Sequence, residues 1–237
     1  MSEWLEPFLR ASGWVDIVDA TREMSVRDDP ADVPTLLAAL KDPNEAKRWG
    51  AVYALGFSRR DGRVASPLIR VLLDEQETVR VRSQAAECLG YLGQRKAIRA
   101  LIQCSRDDSA ELRFWCVFAL GKYRRRRRKP PIAVIRALEA RLHDDGGHAD
   151  FWTVGLEALA MLKGLKIREY GDRFRAKMLE IFTDPLGRED QWQWATWYWD
   201  ISGLSREQPI RDLFDSAVER IHEAGLDPLT FGKQKPR

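Results

Sequence analysis

The sequence has little of what metal, redox or hydrolytic chemistry needs. Its three histidines, His143, His148 and His222, stand at no spacing that closes a metal site. Cys88, Cys104 and Cys116 are an odd number with no CxxC pair. Each falls inside an apolar helical pattern, so they read as small buried hydrophobes of a reducing compartment. No GxGxxG, Walker loop or GxSxG occurs. Gly146-Gly147 reads as a turn, and the carboxylate pairs Asp28-Asp29 and Asp144-Asp145 read as solvated caps between helices. An excess of one charge is missing too: 39 Lys and Arg stand against 36 Asp and Glu, where a dedicated nucleic-acid module is strongly basic. No apolar run approaches the ~18 residues of a membrane span. The start, MSEWLEPFLRASGW, carries Glu3 and Glu6 where a signal peptide would be basic and then apolar. We therefore expect a cytoplasmic, non-catalytic chain without metal or cofactor.

What is present is enough apolar material for a core, 44% of the residues, and a repeat. Three segments align on a closing glycine: RWGAVYALG (Arg48 to Gly56), RSQAAECLG (Arg82 to Gly90) and RFWCVFALG (Arg113 to Gly121). The triplets Ala51, Val52, Leu55; Ala85, Ala86, Leu89; and Cys116, Val117, Leu120 fall at steps that share one helix face. The glycine is expected to end each helix in a left-handed conformation. A shorter helix precedes each, in VPTLLAAL, SPLIRVLL and AIRALIQC, with proline in the first turn of two of them. The unit is helix, turn, helix, spaced 34 residues from Gly56 to Gly90 and 31 from Gly90 to Gly121. Self-similarity at such a period means a solenoid. Asp42, Asp74 and Asp107 each stand six residues before Arg48, Arg80 and Arg113. Each Asp is expected to cap the following helix and pair with its Arg, forming a ladder along the stack.

The D(x)5R pairing and the R(x)5ALG ending resemble HEAT repeats, in particular the short bacterial type named after phycobilisome lyases, across residues 33 to 122. The fold this implies is a right-handed all-α solenoid of about five helical pairs with capped ends. Residues 1–28, with Trp4, Phe8, Trp14 and Val18, are expected to cap the N-terminus. Repeats are expected over 33–63, 64–95, 96–123 and 130–165. The fourth has Ala160 in place of the glycine and lacks the Asp–Arg pair. Residues 168–237 would form a degenerate repeat and a C-terminal cap, with helices near 170–183, 188–202 and 206–224. The resemblance extends to HEAT-type alkylpurine DNA glycosylases, which hold DNA on a basic face with Trp and Asp, and Trp199-Asp200 is a matching pair. It extends also to phycobilin lyases, but nothing in the sequence marks a bilin site. Iron-holding HEAT hydroxylases use several His-Glu pairs; His222-Glu223 is one.

Three departures from the repeat carry the functional reading. Positions seven and three before the closing glycine share a helix face. They hold Trp49 and Tyr53, Ser83 and Glu87, Phe114 and Phe118, then Thr153 and Glu157, with Trp115 and Trp152 beside the last two sets. Trp49, Tyr53, Phe114, Trp115, Phe118 and Trp152 are the candidate protein-binding residues of a groove, the alternative being packing beneath a cap or in a wide helix interface. The second departure is a basic patch, Arg124, Arg125, Arg126, Arg127 and Arg128, on an inter-repeat turn, suited to an acidic protein, to nucleic acid or merely to solvent. The third is DQWQWATWYWD, Asp190 to Asp200, aromatic nearly all round and expected in the core of the C-terminal unit. The expectation is a rigid protein-binding scaffold or adaptor, such as a dedicated inhibitor or immunity-type binder. Nucleic-acid binding and a lyase-like or chaperone role are the alternatives.

Overall fold

The computed structural model describes the backbone of residues 5–27, 29–57, 62–123, 130–147 and 152–232. Among these the fold is all-α: thirteen α-helices and no strand, with one isolated bridge between Gly147 and Thr153. The chain divides into two compact units, Met1–Ala137 and Leu138–Arg237.

Unit 1 is a stack of helical pairs. It contains α1 (Leu5–Arg10), α2 (Trp14–Arg27), α3 (Val33–Ala39), α4 (Glu45–Phe57), α5 (Ala65–Leu73), α6 (Val79–Leu92), α7 (Ile98–Cys104) and α8 (Ala110–Gly121). Within the repeats α3 packs on α4, α5 on α6 and α7 on α8; the long helices α2, α4, α6 and α8 then pack in succession. The turn inside each repeat is specified by polar side chains. The carboxylates of Asp42, Asp74 and Asp107 accept from the amides two residues on, at 2.8, 3.0 and 3.0 Å. Asn44, Thr78 and Ser109 then cap α4, α6 and α8 by accepting from Ala46, Val81 and Leu112 amides. Each cap contributes about 1 kcal/mol. All three apolar triplets are buried, as their spacing requires.

The closing glycines do a different job from the one expected. Gly56, Gly90 and Gly121 lie within the helices α4, α6 and α8, and α6 ends at Gly93, φ +61°. A Cβ on Gly56 would lie 2.3 Å from Cys88 Sγ, and one on Gly90 would lie 2.8 Å from Ala119 Cα. These glycines therefore let neighbouring long helices approach backbone to backbone. Gly50 instead makes room for side chains, those of Ile17 and Thr21 of α2. Cys88, Cys104 and Cys116 are all buried thiols in this packing.

The ladder also differs in detail. Arg48 and Arg113 donate to the backbone carbonyls of Asp42 and Asp107. Arg80 instead lies over the Trp14 ring, 4.7 Å from its centroid. Ion pairs do join successive repeats, through other partners: Arg48 forks onto Glu77 at 2.7 and 2.9 Å, and Arg82 reaches Asp107 at 3.0 Å. Burial pushes the Glu77 carboxyl up, but the hydrogen bonds from Arg48 and the Thr78 amide outweigh it and hold the group below its usual value.

The helix α9 (Ile132–Glu139) carries the boundary. Unit 2 contains α10 (Val154–Gly164), α11 (Arg168–Thr183), α12 (Glu189–Ser202) and α13 (Gln208–Glu223). Its interior is aromatic. Phe174, Phe182, Trp192 and Trp194 are wholly or almost wholly buried. Phe182 meets Trp192, Trp199 and Phe214 edge-on, and Trp192 stacks on Phe214. The segment after α13 folds back so that Trp192 donates to the Pro228 carbonyl at 2.9 Å and Phe231 is buried.

Candidate functional site

The long helices of unit 1 present a common row of positions, seven and three before the closing glycine and one after it. On α4 the row is Trp49, Tyr53, Phe57; on α6 it is Ser83, Glu87, Tyr91; on α8 it is Phe114, Phe118, Lys122. Because α4 packs on α6 and α6 on α8, the middle, mostly polar row runs between two aromatic ones.

The α4 row is a continuous stack. Trp14 of α2 meets Trp49 at 5.9 Å, Trp49 stacks on Tyr53 at 5.3 Å, and Tyr53 meets Phe57 at 5.2 Å. All four rings are half-buried. On α8, Trp115 stands edge-on to both Phe114 and Phe118, and Phe118 meets Tyr91 of α6 edge-on at 5.7 Å. Trp115 and Phe118 are half-buried, and Tyr91 is 43% exposed. Such ring pairs each contribute about 0.5–1.5 kcal/mol beyond the area they bury, so the rows are pre-organised. Lys122 Nζ sits over the Phe118 ring, 4.2 Å from its centroid, and 5.8 Å from that of Tyr91.

Glu87 lies at the centre of this face. It is half-buried and accepts from Gln84 Nε2 at 2.7 Å. Burial raises its carboxyl above the usual range, and the charge of Lys122 opposes that only in part. The Tyr91 phenol is pushed up to about 12, by burial first and then by the Glu87 charge.

Of the expected binding residues, Trp49, Tyr53, Trp115 and Phe118 are half-buried members of these rows. Phe114 is an interior side chain, 2% exposed. Trp152 belongs to unit 2 and is also interior: at 8% exposure, its indole Nε1 donates to Glu157 at 2.7 Å. Glu157, itself 1% exposed, accepts from the Tyr198 hydroxyl at 3.1 Å as well. This fourth Thr153/Glu157 set is therefore a cap and a buried polar anchor. Trp14, Phe57, Tyr91 and Lys122 were not among the expected residues. The signal for the last three was one further four-residue step along the same face. The arginine run, Arg124 to Arg128, lies outside the described residues, as does His148.

Unit 2 holds an open cavity of about 640 Å³ between the 142–145 turn, α10, α11 and the start of α12. Its charged lining is mixed: Arg173 and Lys177 face it with Asp144, Asp145, Glu180 and Asp190, and Lys177 already pairs with Glu180 at 2.9 Å. On α12, Trp192 and Trp194 are core, while Trp197 is 59% exposed and Ile201, one turn on, is 71% exposed. Among the described residues no three His, Cys, Asp or Glu side chains gather as metal ligands, and no helix is long and apolar enough to cross a membrane.

The family model for HEAT repeats matches residues 68–149, from within α5 to beyond α9. Over that stretch the helical pairs are HEAT-like. The glycine-spaced long helices α6 and α8 and the cross-repeat pair of Arg82 with Asp107 fall inside the matched stretch. Among curated proteins the comparison finds no match to the sequence.

Proposed function

We propose that this chain is a protein-binding scaffold, acting as an adaptor or a dedicated inhibitor, and that it binds through the aromatic face of α4, α6 and α8. HEAT repeats generally mediate protein interactions. The observation that carries the reading is the pair of half-buried aromatic rows on either side of Glu87, held on a closely packed helical frame. Rigid, amphipathic rings suit interface anchors because little side-chain entropy is lost when a partner docks. The reading rests on Trp49, Tyr53, Trp115 and Phe118; Phe114 and Trp152 act through packing. A nucleic-acid reading finds less support, because a carboxylate stands at the middle of the face, where it would repel phosphate.

The test is affinity purification from the native cell after nuclease treatment, at low and high salt, with the wild type and the Trp49→Ala and Trp115→Ala variants compared. A partner recovered stoichiometrically by the wild type, weakened at least ten-fold by either variant with melting nearly unchanged, is the expected outcome. A loss of stability of about 3 kcal/mol or more at either position would mean a core ring and not an anchor. Retention of nucleic acid alone, lost on nuclease treatment, would replace the proposal with nucleic-acid binding.

A further inference from the structure

We infer that the face receives a cationic side chain, an arginine or lysine on an apolar segment of the partner protein, and that Glu87 is its counter-ion. This inference rests on the proposed binding function and names the chemistry that the same face selects. Three observations lead to it.

The first is position. Glu87 occupies the middle of the middle row, on a helix packed between α4, which carries Trp49, Tyr53 and Phe57, and α8, whose Phe118 lies against Tyr91 one turn beyond Glu87. A carboxylate framed by rings offers a cation both a charge and π faces, and partly excluded water strengthens each.

The second is that the face already holds cations in this geometry. Lys122 lies over Phe118 and within reach of Tyr91, and Arg80 lies over Trp14. Both are exposed side chains on long, adaptable stems. They show which chemistry the rings accept, and Lys122 occupies the ground that an incoming cation would take.

The third is the state of Glu87 itself. Its hydrogen bond comes from a neutral donor, the Gln84 amide, at 2.7 Å. Elsewhere in the unit a half-buried glutamate is met by a forked arginine, as Glu77 is by Arg48. Among the described residues no arginine forks onto Glu87, and a guanidinium from a partner supplies that contact. An acidic segment would bring like charge onto a carboxylate already half-buried, which is costly.

The probe is a library of displayed 12-residue peptides, selected on the wild-type protein, with binding of the enriched peptides then measured by titration. Peptides carrying Arg or Lys between apolar residues should be enriched. Glu87→Gln should weaken them at least ten-fold, whereas Lys122→Ala should tighten binding by about three-fold, since a competing cation is gone. Melting curves of both variants should match the wild type, which separates loss of binding from loss of fold. Enriched peptides that are acidic or uncharged, indifferent to Glu87→Gln, would overturn the cation inference. The scaffold reading would survive that result if Tyr53→Ala and Trp115→Ala still abolished binding. Peptides insensitive to all of these variants, or no enrichment at all, would count against both.

Discussion

At the closest helix approaches of unit 1 the side chains shrink to nothing: Gly56 meets Cys88 and Gly90 meets Ala119. In unit 2 the interior is filled by Phe174, Phe182, Trp192 and Trp194. The two units therefore use opposite means to remove apolar surface from water. Small residues let identical helices stack at one repeated spacing, and the same contact can be written again in each repeat. Large rings fill space only in one arrangement, so their positions are particular to each helix pair. The consequence for function follows directly. Unit 1 settles its helix packing mainly with glycine, alanine and aliphatic residues, Phe8, Phe114 and Tyr123 being its buried rings, which leaves Trp49, Tyr53, Phe57, Trp115 and Phe118 half-buried at its surface. Unit 2 spends most of its rings on the core, and Trp197 is the one that remains mainly exposed among those of α12.

The largest effect that would break this contrast is expected in unit 2. Trp192→Ala should cost about 3–5 kcal/mol, measured by urea unfolding, because the ring is fully buried, stacks on Phe214 and holds Pro228 through its indole N–H. A cost below about 1 kcal/mol would mean that the aromatic interior is slack. Next comes the same substitution at two glycines. Gly90→Ala in unit 1 should cost about 2 kcal/mol, since the new methyl meets the Ala119 backbone at 2.8 Å. Gly171→Ala, within α11 of unit 2 and with nothing within 4 Å, should instead stabilise by about 0.5–1 kcal/mol through helix propensity. Equal effects at both sites would remove close approach as the reason for Gly90.

Much of unit 1 was legible in the sequence because its information is periodic. The apolar triplets and the helix–turn–helix unit follow from spacings that any stacked repeat must obey. The role of the glycines was not legible, since a glycine that ends a helix and one that admits a neighbouring helix leave the same letter at the same place. Glu77 was missed for a similar reason. Its partner Arg48 is in the preceding repeat, so no local spacing marks the pair. In the candidate site, the aromatic rows were readable from four-residue steps, yet depth was not: Phe114 and Phe118 share a face, but one is interior and the other half-buried. Glu87 stood out only as a polar interruption. Its frame of rings comes from α4 and α8, which sequence periodicity places on the same face but not at contact distance.

The smallest effect sharpens the comparison through charge. Arg48 and Glu77 join two repeats of unit 1 with side chains 19% and 9% exposed, whereas Arg175 and Glu207 of unit 2 pair at 2.9 Å with 45% and 47% exposed. A double-mutant cycle to alanine should give a coupling of about 1–2 kcal/mol for the forked, sheltered pair. It should give about 0.5 kcal/mol or less for the solvated one. Acid adds a second readout. Glu77 is held below its usual value of 4.5, so its ionised form is favoured by folding. Its contribution is complete above the unfolded value and is lost as pH falls through the lower folded one. The Arg48–Glu77 coupling should therefore stay constant from neutral pH down to about 4.5 and decline below it. A coupling that fell well above that value would place the stabilisation on another group. Equal couplings in the two units would mean that the forked contact between repeats adds no more than an ordinary surface pair.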